Sequence, residues 1–119
     1  MGETIAKIKV MGLTPNGTTE VEVVVDTGAT YTALPKRTLL PLGIKPEREI
    51  TIELANGQTL RRALGYAIVE VEGRRSPNVV ILGEEGDAAV VGLVTLESCG
   101  LMVDPLNRRL IPAPKIHHY

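Results

Sequence analysis

The chain has 119 residues, a length typical of a single domain. Apolar residues make up 44% and charged residues 23%, which is the composition of a folded globular protein. The net charge of -1 argues against a partner such as nucleic acid or an anionic membrane surface. A single cysteine excludes an intrachain disulfide and a multi-cysteine metal site. With no apolar signal segment and no apolar run long enough to span a bilayer, the expected location is cytoplasmic.

Short runs of alternating apolar and polar residues between turn signals predict a chain made mostly of strands. In chain order, the pattern predicts strands over 5–10 and 19–25 with a turn at 15–17, a short helix or turn over 34–40, strands over 49–54 and 59–64, strands over 66–71 and 78–82, a strand over 88–91, a helix over 93–99, and a last hairpin of 101–105 and 109–111. These elements predict one all-β domain, a small closed barrel with one short C-terminal helix. Its core is expected over about 5–111, with 112–119 as a tail.

One tripeptide carries potential chemistry. Asp26 directly follows three valines and precedes Thr27 and Gly28. Burial of a lone carboxylate is costly, so an aspartate at the end of a buried strand must be hydrogen-bonded, paired or protonated. Gly28 would let its amide approach that carboxylate, and the Thr27 hydroxyl could lock the turn or bond to a symmetric partner. Taken alone, the tripeptide favours an Asx-turn in which Asp26 only caps backbone amides.

Three segments in order resemble the retropepsin-like aspartic proteases over about residues 5–110. Asp26-Thr27-Gly28-Ala29 looks like the catalytic loop of that family, and the hairpin Ala55-Asn56-Gly57-Gln58 falls where the family places its flap. Val90-Val91-Gly92 before a short helix is similar to the family's hydrophobic-hydrophobic-glycine segment. The chain differs from retroviral members in having Thr30 and Tyr31 where they usually carry an acid, and one flap glycine where theirs are glycine-rich.

The resemblance implies an aspartic endopeptidase that needs no cofactor and no metal. Asp26 would be catalytic, with Thr27, Gly28 and Ala29 supporting the loop and residues 55–58 covering the substrate. Two carboxylates about 3 Å apart cannot both ionise and share a proton, so one can activate water while the other polarises the scissile carbonyl. Because the chain has one such tripeptide and is too short for two lobes, the second carboxylate is expected from Asp26 of a twin chain. The expected partners are therefore a second copy and a peptide or unfolded protein.

Other polar residues give no competing chemistry. Asp104 is expected to be a turn acid, and Asp87 a solvent-facing acid of the loop 84–87. His117–His118 lie in the tail and are not predicted to be metal ligands or bases. No histidine pattern accompanies Ser98–Cys99, so nucleophilic catalysis has no support, and Cys99 is expected to be a small core residue.

Two alternatives remain open. The first is a catalytically weak or inactive protease-like module that binds peptides or dimerises. The second is an unrelated β-barrel binding module in which Asp26 merely caps a turn.

Overall fold

The computed structural model describes residues 3–14 and 16–114. Within these ranges the chain forms nine strands and two short helices. The strands are β1 (Ile5–Met11), β2 (Thr18–Val25), β3 (Thr32–Pro35), β4 (Arg48–Glu53), β5 (Thr59–Val71), β6 (Arg74–Gly83), β7 (Val90–Val91), β8 (Leu101–Asp104) and β9 (Arg109–Pro112); the helices are α1 (Lys36–Leu39), continued by a 3-10 turn (Leu40–Leu42), and α2 (Leu93–Ser98). The predicted all-β class with a short helix near the C-terminal end is confirmed.

Seven strands form one sheet in the order β1-β2-β7-β3-β6-β5-β4. β1 also pairs with β5, through residues 8–11 of β1 and 68–71 of β5, and this pairing closes six of the strands into a ring. β4 pairs with β5 outside the ring, and β8 and β9 form a separate two-stranded sheet. β2 runs parallel to β7, and β3 runs parallel to β6.

Aliphatic side chains fill the interior of the ring. They come from nearly every element, as alternate strand residues point inwards; the largest fully buried ones are Ile8, Val10, Leu34, Leu39, Ile44, Leu64, Val69, Val71, Val80, Leu82, Val91 and Leu96. The valine run that precedes Asp26 is less buried than the sequence suggested. Val23 is buried, whereas Val24 and Val25 are half-buried. Val24 points to the opposite face of the strand from Val23, and Val25 is the last residue of the strand.

Several element boundaries differ from the sequence prediction; β6, for example, begins at Arg74 and not at residue 78. Segments 59–64 and 66–71 are one continuous strand, β5, and Gly65 does not interrupt it. Glycine at position 65 lets the strand pack closely against residue 45, since a Cβ at this position would lie 2.8 Å from the backbone oxygen of Lys45. The predicted strand 88–91 shortens to Val90–Val91, while the four-residue strand β3 has no counterpart in the prediction.

Some predictions fall outside the described residues. Pro15 of the predicted turn and His117–His118 of the tail belong to this group, whereas Gly17 is described and has the positive φ, 95°, expected of an Asn-Gly turn. Across residues 3–14 and 16–114, no helix has the length and apolar character required to cross a membrane.

Candidate active site

Asp26 is the first residue after β2, and its backbone is held from two directions. Its N–H donates to the carbonyl oxygen of Val91 at 3.0 Å, and its own carbonyl accepts from the N–H of Ala29 at 3.1 Å. The first bond continues the parallel pairing of β2 with β7, and the second closes the turn that follows. We call residues 26–30 the Asp26 loop.

The carboxylate of Asp26 has a defined orientation but is open to solvent. The Gly28 N–H donates to its Oδ1 at 2.9 Å, as the sequence suggested. A Cβ at Gly28 would lie 3.2 Å from the same oxygen, so glycine allows this close approach. Asp26 itself is exposed, in contrast to the buried acid anticipated from the valine strand, because the loop leaves the sheet at the mouth of a cleft. Thr27 is also exposed, and within the described ranges its hydroxyl makes no hydrogen bond.

The turn at Gly92 supports the Asp26 loop from below. The N–H of Leu93 donates to the carbonyl oxygen of Ala29 at 2.8 Å, and the N–H of Val94 donates to the carbonyl oxygen of Thr30 at 3.0 Å. Gly92 lies so close to the loop that an added Cβ would be 2.5 Å from the carbonyl carbon and oxygen of Tyr31. The hydrophobic-hydrophobic-glycine segment and the Asp-Thr-Gly segment, 62 or more residues apart in sequence, therefore meet as one structural unit.

A cleft of about 760 Å³ opens beside Asp26. One wall is the Asp26 loop with Tyr31, and the other is β4 with the residues that follow it; the lining residues are Asp26, Gly28, Ala29, Thr30, Tyr31, Ile50, Thr51, Ile52, Glu53, Leu54, Ala55 and Ile81. Of the four predicted flap residues, Ala55 lines the cleft, whereas residues 56–58 form the tip of the hairpin and are not among the lining residues.

The hairpin tip is a compact turn. Asn56 Oδ1 accepts from the N–H of Gln58 at 2.9 Å, and the two side chains bond to each other at 3.1 Å. Gly57 has φ 87°, a conformation that favours glycine. The β4–β5 hairpin is thus an ordered arm next to the cleft, with its tip beyond the lining residues.

Asp87 does not match its prediction as a solvent-facing loop acid. Arg62 of β5 donates to it through Nε at 2.7 Å and through Nη2 at 3.0 Å, and the N–H of Glu84 donates at 2.8 Å. The hydrogen bond from Arg62 is the main cause that holds the pKa of Asp87 below its ordinary value, against a smaller opposing effect of burial. Both side chains are more than two-thirds buried, so this pair ties the 84–87 loop to β5.

Asp104 and Cys99 match their predictions. Asp104 is a turn acid that accepts from Asn107 Nδ2 at 2.7 Å and from the N–H of Leu106 at 3.1 Å. The hydrogen bond from the Asn107 side chain is the main cause that lowers the pKa of Asp104. Cys99 is a buried free thiol.

Sequence reasoning missed a buried polar cluster beneath the Asp26 loop. Thr32, Thr95 and Asn78 come from β3, α2 and β6, and they are joined by direct hydrogen bonds. A signal for it existed in β6, where Ser76 and Asn78 share a strand face with Val80, so two polar side chains had to point into the core. No sequence signal indicated which residues would meet them.

A comparison with protein families extends these observations. Residues 11–98 match the family described as gag-polyprotein putative aspartyl protease. This range runs from the end of β1 to the end of α2 and contains the Asp26 loop, the β4–β5 hairpin and the Gly92 turn. No curated protein matches the chain. With the match over most of the chain, and an all-β fold that joins Asp-Thr-Gly to the Gly92 turn, the chain belongs to the retropepsin-like family of aspartic proteases.

Proposed function

We propose that the chain is one subunit of a homodimeric aspartic endopeptidase whose catalytic pair is Asp26 from each subunit. One observation carries the proposal: the Asp26 carboxylate is oriented by the Gly28 amide yet exposed at the mouth of a cleft. An acid that only capped a turn would not need an adjoining cleft of about 760 Å³.

The reaction requires a second carboxylate close to the first. With a shared proton, the charged carboxylate removes a proton from water, whose oxygen bonds to the scissile carbonyl carbon, while the protonated carboxyl gives its proton to the carbonyl oxygen; the product is a tetrahedral diol. The C–N bond of the resulting diol then breaks: the first carboxyl protonates the leaving amine, and the second takes a proton back from a diol hydroxyl. This restores the shared-proton pair and leaves a carboxylic acid and an amine. Gly28 and Ala29 hold the Asp26 loop through their N–H bonds to Asp26, and the Thr27 hydroxyl would bond to the loop of the second copy; no metal or cofactor takes part in this scheme.

Glu53 is the other carboxylate among the cleft-lining residues, but it is a poor second acid. It is exposed at the end of β4, with its backbone paired to Thr59, and no hydrogen bond orients its carboxylate within the described ranges. Asp26 has such a bond, so two copies of the Asp26 loop related by a twofold axis would supply two equally oriented acids. The monomer cleft is therefore half of the proposed site.

An extended peptide or unfolded protein is the proposed substrate. Among the residues that the structure describes, β4 is the last strand of the sheet and pairs on one edge only, so its other edge could pair with a peptide backbone. Ile50 and Ile52 line the cleft from this strand and would contact apolar substrate side chains. Residues 55–58 at the end of the hairpin would cover the bound chain and exclude water.

The test compares two isosteric variants, Asp26→Asn and Glu53→Gln, in peptide cleavage and in sedimentation equilibrium. We expect a wild-type dimer that cleaves peptides and is inhibited by a statine-type mimic of the tetrahedral intermediate. Asp26→Asn should remain a folded dimer without turnover, whereas Glu53→Gln should keep turnover. Undiminished cleavage by Asp26→Asn would end the proposal, and loss of turnover in both variants would make Glu53 the second acid.

A wild-type dimer that binds peptides across acidic to neutral pH but never cleaves them would instead show a protease-like binding module. The proposed cytoplasmic location is tested separately, by fractionating cells that express the chain.

A further inference from the structure

We propose that Thr32, Thr95 and Asn78 form a positioning relay that fixes the Asp26 loop from within the core. The inference rests on the proposed function for its catalytic consequence, but the relay itself can be tested without turnover. None of the three side chains lines the cleft. They act through the backbone of the Gly92 turn.

The relay is a continuous chain of hydrogen bonds. The N–H of Gly92 donates to Thr32 Oγ1 at 3.1 Å, and Thr32 Oγ1 lies 2.6 Å from Thr95 Oγ1. Thr95 Oγ1 then donates to Asn78 Oδ1 at 3.1 Å. Thr32 is 0% exposed, Thr95 1% and Asn78 7%, so water does not compete for these bonds.

Counting the hydroxyl protons fixes which group donates in each hydrogen bond of the relay. Each hydroxyl has a single proton, and the Thr95 proton goes to Asn78 Oδ1, which can only accept. The bond between the two threonines must therefore be donated by Thr32, whose oxygen remains free to accept from Gly92. The direction depends on the Asn78 amide, and its Nδ2 is fixed by donation to the carbonyl and hydroxyl oxygens of Ser76 at 3.1 and 2.9 Å.

The other end of the relay is the turn that holds the Asp26 loop. Val91 and Leu93, on either side of Gly92, bond to the backbone of Asp26 and Ala29. The N–H of Gly92 itself points the opposite way, to Thr32. The Gly92 turn is thus clamped between the loop above and the relay below. A shift of this turn would move both anchoring bonds of the loop together.

The test uses Thr95→Val, which keeps the shape of the side chain but removes the hydroxyl at the centre of the relay. Thr95→Ser restores the hydroxyl and serves as the rescue variant. Ser98→Ala is the matched control, since the Ser98 hydroxyl also lies near Asn78 Oδ1, at 3.3 Å, but is not on the path to Gly92.

The first readout is amide hydrogen exchange by NMR, which needs no turnover. We expect Thr95→Val to accelerate exchange at Leu93 and Val94 by about tenfold or more beyond any change in global stability, and Ser98→Ala and Thr95→Ser to leave it within about threefold. Equal acceleration in Thr95→Val and Ser98→Ala, or none in Thr95→Val, would overturn the relay.

The second readout is peptide cleavage. We expect Thr95→Val to lower kcat by about tenfold to a hundredfold with little change in KM, because the acid moves while the cleft walls of β4 do not. Thr95→Ser should recover kcat. Unchanged kcat in Thr95→Val, or an equal loss in Ser98→Ala, would refute the positioning role. A wild-type chain without turnover would refute the proposed function alone, and the exchange result would still decide the relay.

Discussion

Gly92→Ala would test how tightly the Asp26 loop rests on the turn beneath it. The added Cβ would lie 2.5 Å from the carbonyl carbon and oxygen of Tyr31 and 2.9 Å from the carbonyl oxygen of Ala29. All of these atoms are backbone, so no side-chain rotation can relieve the contact. The φ of Gly92 is -93°, which alanine adopts without strain, so the substitution changes occupied space and not backbone preference.

The expected magnitude follows from that distance. Carbon atoms in a packed interior approach to about 3.5 Å, so the loop and the turn must separate by about 1 Å. Overpacking of this kind costs about 1–3 kcal/mol in the free energy of unfolding. A displacement of about 1 Å at the reacting groups costs about a hundredfold in rate, and we expect kcat to fall by about that factor.

The assay is peptide cleavage by folded protein, alongside urea unfolding. Gly73→Ala is the control: its φ of 77° makes alanine cost about 1–2 kcal/mol, but no atom lies within 4 Å of the added Cβ and the turn belongs to the β5–β6 hairpin. It should lose stability and keep kcat. Gly92→Ala cleaving at the wild-type rate would refute the argument that this contact sets the position of Asp26.

Three further predictions concern assembly and stability. When wild-type chain and Asp26→Asn are mixed equally and allowed to exchange subunits, activity should be about one quarter of that of the same total amount of wild-type chain; about one half would indicate active monomers. Asp87→Asn should cost about 1 kcal/mol at pH 7, through its pair with Arg62. Because the pKa of Asp87 is lowered from 3.8 in the folded state, this contribution is complete above that pH and is lost as the pH falls through the folded-state pKa. The free energies of unfolding of the two proteins, measured in urea, should therefore converge in acid, and a difference that stays constant with pH would contradict the prediction. Gly65→Ala should destabilise by about 1–3 kcal/mol because of the contact with Lys45, and a neutral or stabilising effect in urea unfolding would show that Gly65 is not needed for space.

The local features of the site could be predicted from sequence. The strand that leads to Asp26 has short-range alternation, and the hairpin turns at Gly17 and Gly57 are marked by Asn-Gly pairs that favour positive φ. The Asp-Thr-Gly segment also implied the Gly28 amide bond, which spans only two residues. Each of these features is decided by atoms close together along the chain, so the residue types alone indicate it.

The exposure of Asp26 could not be predicted in the same way. A strand of three valines indicates burial, yet the loop after it opens into the cleft. Asp87 was misassigned for a related reason, since its partner Arg62 lies 25 residues away on β5. The acidic residues of the 84–87 loop alone predict exposure to solvent, and the pairing with Arg62 follows only from the fold.

The sequence by itself indicated the class of fold, the acid-bearing loop and the hydrophobic-hydrophobic-glycine segment, whereas the contact between the last two came from the structure. Only the tertiary structure decided that β1 closes the ring by pairing with β5, that β3 runs parallel to β6, and that Thr32 meets Thr95 across 63 residues. The physical reason is the range of the interactions. Turn geometry and strand periodicity are set by neighbouring residues, whereas ring closure and a buried polar chain depend on which distant surfaces pack together, and no local pattern records that choice.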